Sequence, residues 1–453
     1  MREIPARSAR LACEPLPGMK TAVVVGGGWA GLSAGVELAE KGFQVTIFEQ
    51  SGRLGGRASS FSDDKTGDVV DNGQHLIMGC YARTIEFLAK IGSLGKLKFQ
   101  KNLRVDFASP GGVFSSLNCL ALPAPLHIFS GLMGLGHISL SEKIACARVY
   151  SALNNWNRDF DAMTVEEWLK SLEQTENAVK FLWDPITISV LNETSDIAEA
   201  RSLAKVLREG FFESRKNSCI AVPAEGLTEL VAPAEKYLQE RGGRVRKNEL
   251  VANISFAGDS AKNIVLRNGK EITADVIVSA VPYFVLSNIL GGQCKAPFFS
   301  LAGDLGSSPI LSVSLWLDRP VTDRDFTAML DTETQWLFNK SKILSSVSGD
   351  GYVTLVISGA RKFLKTPDEE LLNMCLEEIK SCFPESKNAK LLNHRIIREK
   401  NATLSPKVGY SKFRLSQKTP FKNFFLCGDW TDTGYPATIE SAVLSGVLAA
   451  KAI

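Results

Sequence analysis

The sequence predicts an α/β fold, in which a doubly wound, Rossmann-like parallel sheet is joined to a discontinuous α+β domain. Three observations predict it. A strand, a glycine-rich turn, a helix and a second strand follow one another between Lys20 and Glu49. A further strand, glycine turn and helix close the chain between Phe424 and Ile453. With 453 residues, the chain also suits two or three domains of about 100–200 residues each.

The composition is that of an ordinary globular protein and excludes several classes of function. Hydrophobic residues make up 45% and charged residues 22% of the chain, and 52 basic residues stand against 49 acidic ones. This near-balance gives no signal for nucleic acid as a partner. Nine scattered cysteines without a Cys-x-x-Cys pair indicate reduced thiols in a cytoplasmic chain. Four histidines, no two within a helical turn, predict no metal site.

Residues 1–18 precede the first strand. They carry basic residues but no apolar stretch behind them, so they do not form a secretory signal. We expect them to be a disordered arm or the product of an upstream start codon.

The first element of the sheet carries a Gly-x-Gly-x-x-Gly turn. Gly26 allows the tight turn, Gly28 lets the backbone approach a pyrophosphate, and Gly31 lets helix and strand pack closely. The free N–H groups at the helix N-terminus face the phosphates. Glu49, at the end of the second strand, can accept both ribose hydroxyls, and its charge disfavours the 2′-phosphate of NADP. A lone glycine turn is weak evidence, but this spacing and context predict a dinucleotide site.

A second glycine turn, "GRLGGR", follows Glu49 directly. Its glycines, Gly55 and Gly56, make a turn with room for a pyrophosphate, and the guanidinium groups of Arg53 and Arg57 can neutralise the phosphates. A plain NAD domain has no use for such a turn, so the motif favours a flavin dinucleotide.

With both turns, the chain resembles the amine oxidase and phytoene desaturase superfamily of flavoproteins, which bind FAD in an extended form. The resemblance recurs in "FFLCGDWTDTGYPATIESAVLSGVLAAKAI". It implies non-covalent FAD, with Asp429 after Gly428 on the ribityl chain and the backbone at Val251 beside the adenine. It also implies that the helix beginning at Thr438 points its N-terminus at the flavin pyrimidine. A helix N-terminus stabilises the negative charge that reduced flavin carries at N1 and the C2 carbonyl.

Flavin binding is thus spread over three segments, and the chain between them forms another domain. Residues 19–105, 206–289 and 406–453 are assigned to the FAD-binding domain, and residues 106–205 and 290–405 to the substrate domain. Within the latter, residues 107–141 contain no Asp, Glu, Lys or Arg. Prolines and glycines interrupt this stretch, so it does not form a spanning helix. It is either a buried insertion or a lipid-facing surface.

Two segments narrow the resemblance. "VVDNGQHLIMGCY" and "GDWTDTGYPATIESAVLSG" are similar to the hydroxysqualene dehydroxylases, also called squalene-associated FAD-dependent desaturases, a bacterial hopanoid-pathway branch. This resemblance implies that reduced FAD gives a hydride to the allylic carbon of hydroxysqualene, whose hydroxyl leaves, to form squalene. It implies an isoprenoid lipid substrate, contact with a membrane surface and with upstream squalene-pathway synthases, and a cytoplasmic protein peripheral to the inner face of the cell membrane. Only one complete dinucleotide fingerprint is present, so an external reductant must visit, and NAD(P)H is a candidate.

The proposed reaction needs an acid for the leaving hydroxyl and a dry apolar tunnel. His75 lies in a segment that the superfamily places near the isoalloxazine, and we propose His75 or Asp432 as the acid. A histidine that only orients its loop is the alternative for His75. Neutral polar groups that can orient the hydroxyl or line the pocket are Asn72, Gln74, Tyr81 and Tyr435.

Three other functions stay open at this stage. A desaturase would remove hydride from a carotenoid precursor and would need no strong acid, because no hydroxide leaves. An amine oxidase would use a pair of aromatic residues beside the flavin, which the sequence does not reveal. A flavin-bound scaffold that docks isoprenoid synthases to the membrane would not need the polar groups near residues 72–75 and 429–435.

Overall fold

The computed structural model describes residues 18–154 and 160–453, so the predicted arm, residues 1–18, lies outside the described residues except for Gly18. A five-stranded parallel sheet forms the centre of the first domain. Across the sheet, the third strand in the chain lies at one edge, followed by the second, first, fourth and fifth, which is the order of a doubly wound sheet. The predicted fold class is confirmed. The strands are Thr21–Val25, Gln44–Phe48, Arg244–Arg246, Val276–Ser279 and Phe424–Leu426.

Two long helices pack on this sheet at unusually close range. Helix Trp29–Glu40 and helix Ile439–Ala452 bury apolar faces against each other and the strands. A Cβ added at Gly31 would lie 2.0 Å from the carbonyl oxygen of Gly26, and one at Gly446 would lie 2.5 Å from that of Ala30. Glycine is therefore required at both positions for this packing.

Smaller elements complete the first domain. An antiparallel meander leads from the third to the fourth strand of the parallel sheet, and Gly269 turns it with a φ of +81°. The strands of the meander and of the two small sheets near it are Val251–Ala257, Ser260–Leu266, Glu271–Ile272, Ser60–Ser62, Val69–Asp71, Ile77–Met78, Leu97–Phe99 and Ile220–Pro223. The smaller helices of the first domain are Ala82–Lys90, Leu227–Val231, Pro233–Gln239, Tyr283–Leu290 and Pro297–Ser300.

A mixed seven-stranded sheet forms the second domain, with helices over it. The strands, in their order across the sheet, are Leu391–Leu404, Ser307–Leu317, Tyr352–Ser358, Trp336–Asn339, Phe326–Met329, Arg104–Ser109 and Val113–Asn118. The helices are Leu126–Leu132, Leu140–Leu153, Val165–Ser171, Glu176–Ala178, Asp184–Leu191, Ala200–Val206, Arg215–Ser218, Lys340–Ile343 and Asp368–Cys382.

Two of the assigned domain limits fall inside elements. The limit between residues 105 and 106 divides strand Arg104–Ser109, all of which pairs within the second sheet. The limit at residue 206 divides a helix, because Ala200–Val206 continues without a break into the π-helical turn Leu207–Phe212. Sequence composition does not mark these points, since an element belongs to a domain through its pairing and not through its residues.

The charge-free stretch 107–141 folds as part of strand Arg104–Ser109, strand Val113–Asn118, helix Leu126–Leu132 and the loop that leads to the next helix. Several large apolar side chains on it are exposed. Within the described parts of the chain, no helix is long and apolar enough to cross a membrane.

Candidate functional site

The two glycine turns pack against each other at the carboxyl end of the parallel sheet. Gly28 and Gly55 form a bridge, and the Gly55 amide donates to the carbonyl oxygen of Gly27 at 3.0 Å. Gly26, Gly55 and Gly56 all have positive φ angles. A side chain on Gly56 would approach the Cα atom of Gly28 to 3.3 Å. Only glycine keeps this cradle open, which suits a pyrophosphate lying close to the backbone.

Glu49 lies beside the first turn and is 7% exposed. Its two carboxylate oxygens accept hydrogen bonds from the amides of Gly27 at 2.7 Å and Ser51 at 2.8 Å. Each oxygen keeps a free lone pair, so ribose hydroxyls can still donate to it. The amide of Glu249 donates to the Glu49 carbonyl oxygen at 2.9 Å, which brings Val251, the buried first residue of its strand, to the same end of the sheet.

Arg57 joins the second turn to the C-terminal motif. Its Nη2 lies 2.5 Å from Oδ1 of Asp429, and its Nη1 donates to the carbonyl oxygen of Ala402 at 2.9 Å. Gly428, just before Asp429, has a φ of +144°, and a Cβ there would lie 2.5 Å from Nε1 of Trp430. Arg53, in contrast, is exposed, and its guanidinium lies 5.3 Å from the centroid of the Phe61 ring. A phosphate contact for Arg53 stays a prediction.

Arg414 is a residue of this region that the sequence analysis missed. It is 7% exposed and donates to the carbonyl oxygens of Asp429, Thr431 and Tyr435 at 2.9, 2.6 and 2.5 Å. The turn between Gly428 and the last helix is therefore built around a buried cation. Thr438 ends that turn and caps helix Ile439–Ala452 by accepting the Ser441 amide at 3.2 Å. No local pattern distinguishes Arg414 from other arginines.

The loop after strand Val69–Asp71 is held by a buried ion pair. Lys340 Nζ lies 2.7 Å from Oδ2 of Asp71, and the two side chains are 1% and 3% exposed. The same ammonium donates to Oε1 of Gln74 at 2.8 Å. Nδ2 of Asn72 donates to the carbonyl oxygen of Arg57 at 3.1 Å. Asn72 and Gln74 are thus engaged by protein groups, and their predicted contact with substrate stays a prediction.

The two predicted acids, His75 and Asp432, lie in different surroundings. The pKa of His75 is lowered to about 4, chiefly by burial; the charge of Asp71 opposes this shift, and the charge of Arg57 adds a smaller lowering. The imidazole is neutral at pH 7 and holds no imidazolium proton to give. Asp432 is exposed, and its Oδ1 accepts the Gly434 amide at 3.2 Å in a local turn. The acid roles of His75 and Asp432 therefore stay predictions.

A cavity of about 40 Å³ lies between two flavin-motif segments, residues 78–81 and 435–440, and two helical stretches of the second domain, at residue 190 and at residues 205–210. Its walls are mostly apolar and include a few ionisable side chains. The structure brings Tyr81, Tyr435 and Thr438 together here, whereas Asn72, Gln74 and His75 do not line it. The lining residues are Met78, Cys80, Tyr81, Val190, Lys205, Val206, Glu209, Gly210, Tyr435, Pro436, Thr438 and Glu440.

Three ionisable groups of this cavity, Lys205, Glu209 and Tyr435, lie together. Lys205 Nζ lies 3.0 Å from Oε1 of Glu209 and 4.3 Å from the centroid of the Tyr435 ring. Burial and a hydrogen bond to Glu209 raise the pKa of Tyr435, and burial raises the pKa of Tyr81. Lys205 and Glu209 were missed from sequence, because they lie in none of the flavin motifs and reach the cavity only through folding.

Elsewhere, a cavity of about 720 Å³ lies in the second domain beside helix Asp184–Leu191 and strand Trp336–Asn339. None of the predicted site residues lines it, so we do not assign the flavin chemistry to it. Across residues 18–154 and 160–453, no group of three or more His, Cys, Asp or Glu side chains could hold a metal ion.

Comparison with known proteins matches the sequence of the chain to a family. The family model described as flavin containing amine oxidoreductase matches residues 29–453. The chain is 28% identical over 462 residues to a 15-cis-phytoene desaturase from an Oncidium hybrid cultivar, covering 95% of this chain and 77% of that relative. It is 25% identical over 474 residues to the zeta-carotene desaturase of Synechocystis, covering 95% and 96%. A solved oxidoreductase from Methanosarcina mazei has a TM-score of 0.73 at 17% identity, covering 94% and 99%, and shows the likeness of fold.

Proposed function

The chain belongs to the flavin-containing amine oxidoreductases and is an FAD-dependent oxidoreductase, and on this premise we propose that it removes the allylic hydroxyl of hydroxysqualene to give squalene. In this reaction the carbon–oxygen bond breaks, the oxygen leaves as water, and a hydride from reduced FAD takes its place on carbon. The FAD supplies the hydride when it is bound.

The cavity between the flavin-motif segments carries the proposal. Apolar side chains such as Met78, Val206 and Pro436 match isoprenoid carbon in polarity, and Lys205 puts an ammonium group in the same wall. A space of about 40 Å³ admits only a small group, so the walls must move apart to admit an isoprenoid chain. Loss of a hydroxyl needs a proton, whereas desaturation of a hydrocarbon releases no oxygen group and needs no acid. A cation beside an apolar cavity therefore favours an alcohol as substrate.

Residues of the first domain fit non-covalent FAD. The glycine cradle at Gly28 and Gly56 leaves backbone space for the pyrophosphate, and Glu49 holds acceptor oxygens for a ribose. Arg57 places a positive charge beside Asp429, and the capped N-terminus of helix Ile439–Ala452, the positive end of the helix dipole, points toward the same region. An external donor such as NAD(P)H would reduce the FAD between turnovers.

We also propose that the substrate enters from a lipid surface. Large exposed apolar side chains lie on the charge-free stretch and on the helix after it. The Leu120 amide donates to the Ser130 hydroxyl at 3.0 Å, and Lys143 Nζ donates to the Met133 carbonyl oxygen at 3.2 Å, which holds these parts of the chain together. This apolar surface consists of Leu120, Leu122, Leu126, Met133, Leu140 and Ile144. Exposed apolar area of this kind binds the acyl boundary of a bilayer. The Leu126→Glu, Ile144→Glu variant should float less with phosphatidylcholine vesicles than a Leu392→Glu control, which removes an exposed leucine elsewhere.

The relatives give the second candidate, a desaturase. Two of them are named for desaturation of phytoene and of zeta-carotene. Such an enzyme would take hydride from a hydrocarbon and would reduce its own flavin instead of oxidising it.

One anaerobic experiment separates the two. The holoprotein is reduced with dithionite and mixed with hydroxysqualene in detergent, and the flavin spectrum and the lipid product are followed together. Reoxidation of the flavin with squalene formed is the expected result. No reoxidation, together with bleaching of the oxidised protein by phytoene or squalene, would instead identify a desaturase.

A further inference from the structure

Three side chains meet at one wall of the cavity between the flavin-motif segments. Lys205 and Glu209 face each other one helical turn apart, with Nζ and Oε1 3.0 Å apart, and their side chains are 24% and 31% exposed. The helix carries a π-helical turn at Leu207–Phe212, a feature that often marks functional sites. Tyr435 comes from the C-terminal motif and presents its ring 4.3 Å from the same ammonium.

We propose that Lys205 is the general acid of the dehydroxylation, held in place by Glu209 and by the ring of Tyr435. This inference rests on the proposed function. As the carbon–oxygen bond breaks, its electron pair stays on oxygen, and one proton of the Lys205 ammonium passes to that oxygen, so that water leaves. Reduced FAD, when bound, would supply the hydride for the new carbon–hydrogen bond and would be oxidised in doing so. Glu209, partly exposed, then returns a solvent proton to the amine.

The neighbours of Lys205 fill this role less well. Among the described residues that line the cavity, Lys205 is the one cation. Burial raises the pKa of the Cys80 thiol to about 12, and burial also raises the pKa values of Tyr81 and Tyr435, so all three hold their protons tightly.

Glu440 is occupied elsewhere. Its carboxylate accepts the amides of Arg83 and Thr84 at 2.9 and 2.8 Å and the Thr84 hydroxyl at 2.7 Å. Burial raises its pKa, while these hydrogen bonds oppose the rise. The ammonium group of Lys205 is therefore the proton donor that faces the cavity.

The main test measures single-turnover reoxidation of the dithionite-reduced holoprotein by hydroxysqualene. Lys205→Met should slow the reoxidation by about 100-fold or more, the usual share of a general acid. Glu209→Gln should slow it less, because the ammonium remains. Lys236→Met is the matched control, since it removes another lysine paired with a glutamate four residues on. Bound FAD per protein and the circular dichroism spectrum check that each variant folds.

A second substrate separates proton donation from packing. The acetate ester of hydroxysqualene has a leaving group that departs without a proton, so Lys205→Met should reduce its rate far less than that of the alcohol. Equal slowing of alcohol and ester would overturn the proposal and make Lys205 a structural residue. An unchanged rate with the alcohol would overturn it too.

The two proposals fail in different ways. If the wild-type protein converts neither substrate, dehydroxylation is refuted and the role of Lys205 falls with it. If the wild-type protein converts the alcohol and Lys205→Met matches it, only the inference about Lys205 fails.

Discussion

Arg57 and Asp429 are 372 positions apart in the chain, yet Nη2 of the first lies 2.5 Å from Oδ1 of the second. This ion pair closes the second glycine turn onto the C-terminal motif, so the two most distant parts of the flavin site are one structure. The pair is partly buried, with side chains 30% and 10% exposed, which limits its screening by solvent.

Removal of the Arg57 charge should therefore weaken FAD binding. We expect Arg57→Met to raise the FAD dissociation constant by about 10-fold or more, because charged hydrogen bonds contribute about 1.5–3 kcal/mol. Quenching of flavin fluorescence on titration of the apoprotein measures it. Arg53→Met, which removes an exposed guanidinium near Phe61, is the control, and an equal loss there would contradict the special place of Arg57.

Charge reversal at Glu49 should abolish retention of FAD. Glu49→Arg replaces a buried carboxylate that accepts the amides of Gly27 and Ser51, so both the turn and the ribose contact are lost. Glu49→Gln keeps the size and should weaken binding by about 10-fold. The ratio of flavin absorbance to protein after purification is the measurement. A yellow Glu49→Arg protein with stoichiometric FAD would refute the assignment of Glu49 to the ribose.

The buried pair of Lys340 and Asp71 should dominate the stability of the domain junction. Lys340→Met leaves the Asp71 carboxylate buried without its cation, and this costs about 3–5 kcal/mol of unfolding free energy. Adding Asp71→Asn removes the stranded charge and should recover most of the loss. Lys342→Met, an exposed neighbour on the same short helix, should change stability by less than about 0.5 kcal/mol. Urea denaturation compares the four proteins, and no recovery in the double variant would count against this account.

The neutral imidazole of His75 should make stability depend on pH. Its pKa is lowered from 6.5 to about 4 in the folded protein, so between these values the unfolded chain binds more protons. The contribution of neutral His75 is complete above pH 6.5 and is lost as the pH falls toward 4. The difference in unfolding free energy between wild type and His75→Gln should therefore shrink over this window. A difference that stays constant from pH 7 to pH 4 would show that His75 titrates normally.

Local sequence was enough for the flavin-binding frame. The turn at Gly26, Gly28 and Gly31, the carboxylate of Glu49 and the Gly428–Asp429 corner are all set by neighbouring residues, because tight turns and strand ends depend on backbone geometry over a few positions. Local sequence did not show that Asp429 is buried while Asp432 is exposed, since proximity in the chain does not say which side chain is buried.

The sequence by itself determined the doubly wound sheet and the residue types of a dinucleotide site, because periodicity and glycine spacing act over short stretches. Tertiary structure alone decided which charges are buried and with whom they pair. Lys340 pairs with Asp71 although 269 positions separate them in the chain. Arg414 donates to the carbonyl oxygens of a turn. Lys205 contacts the ring of Tyr435 from another domain. Such pairings arise from long-range packing, in which desolvation and charge act through space, and no pattern along the chain encodes them.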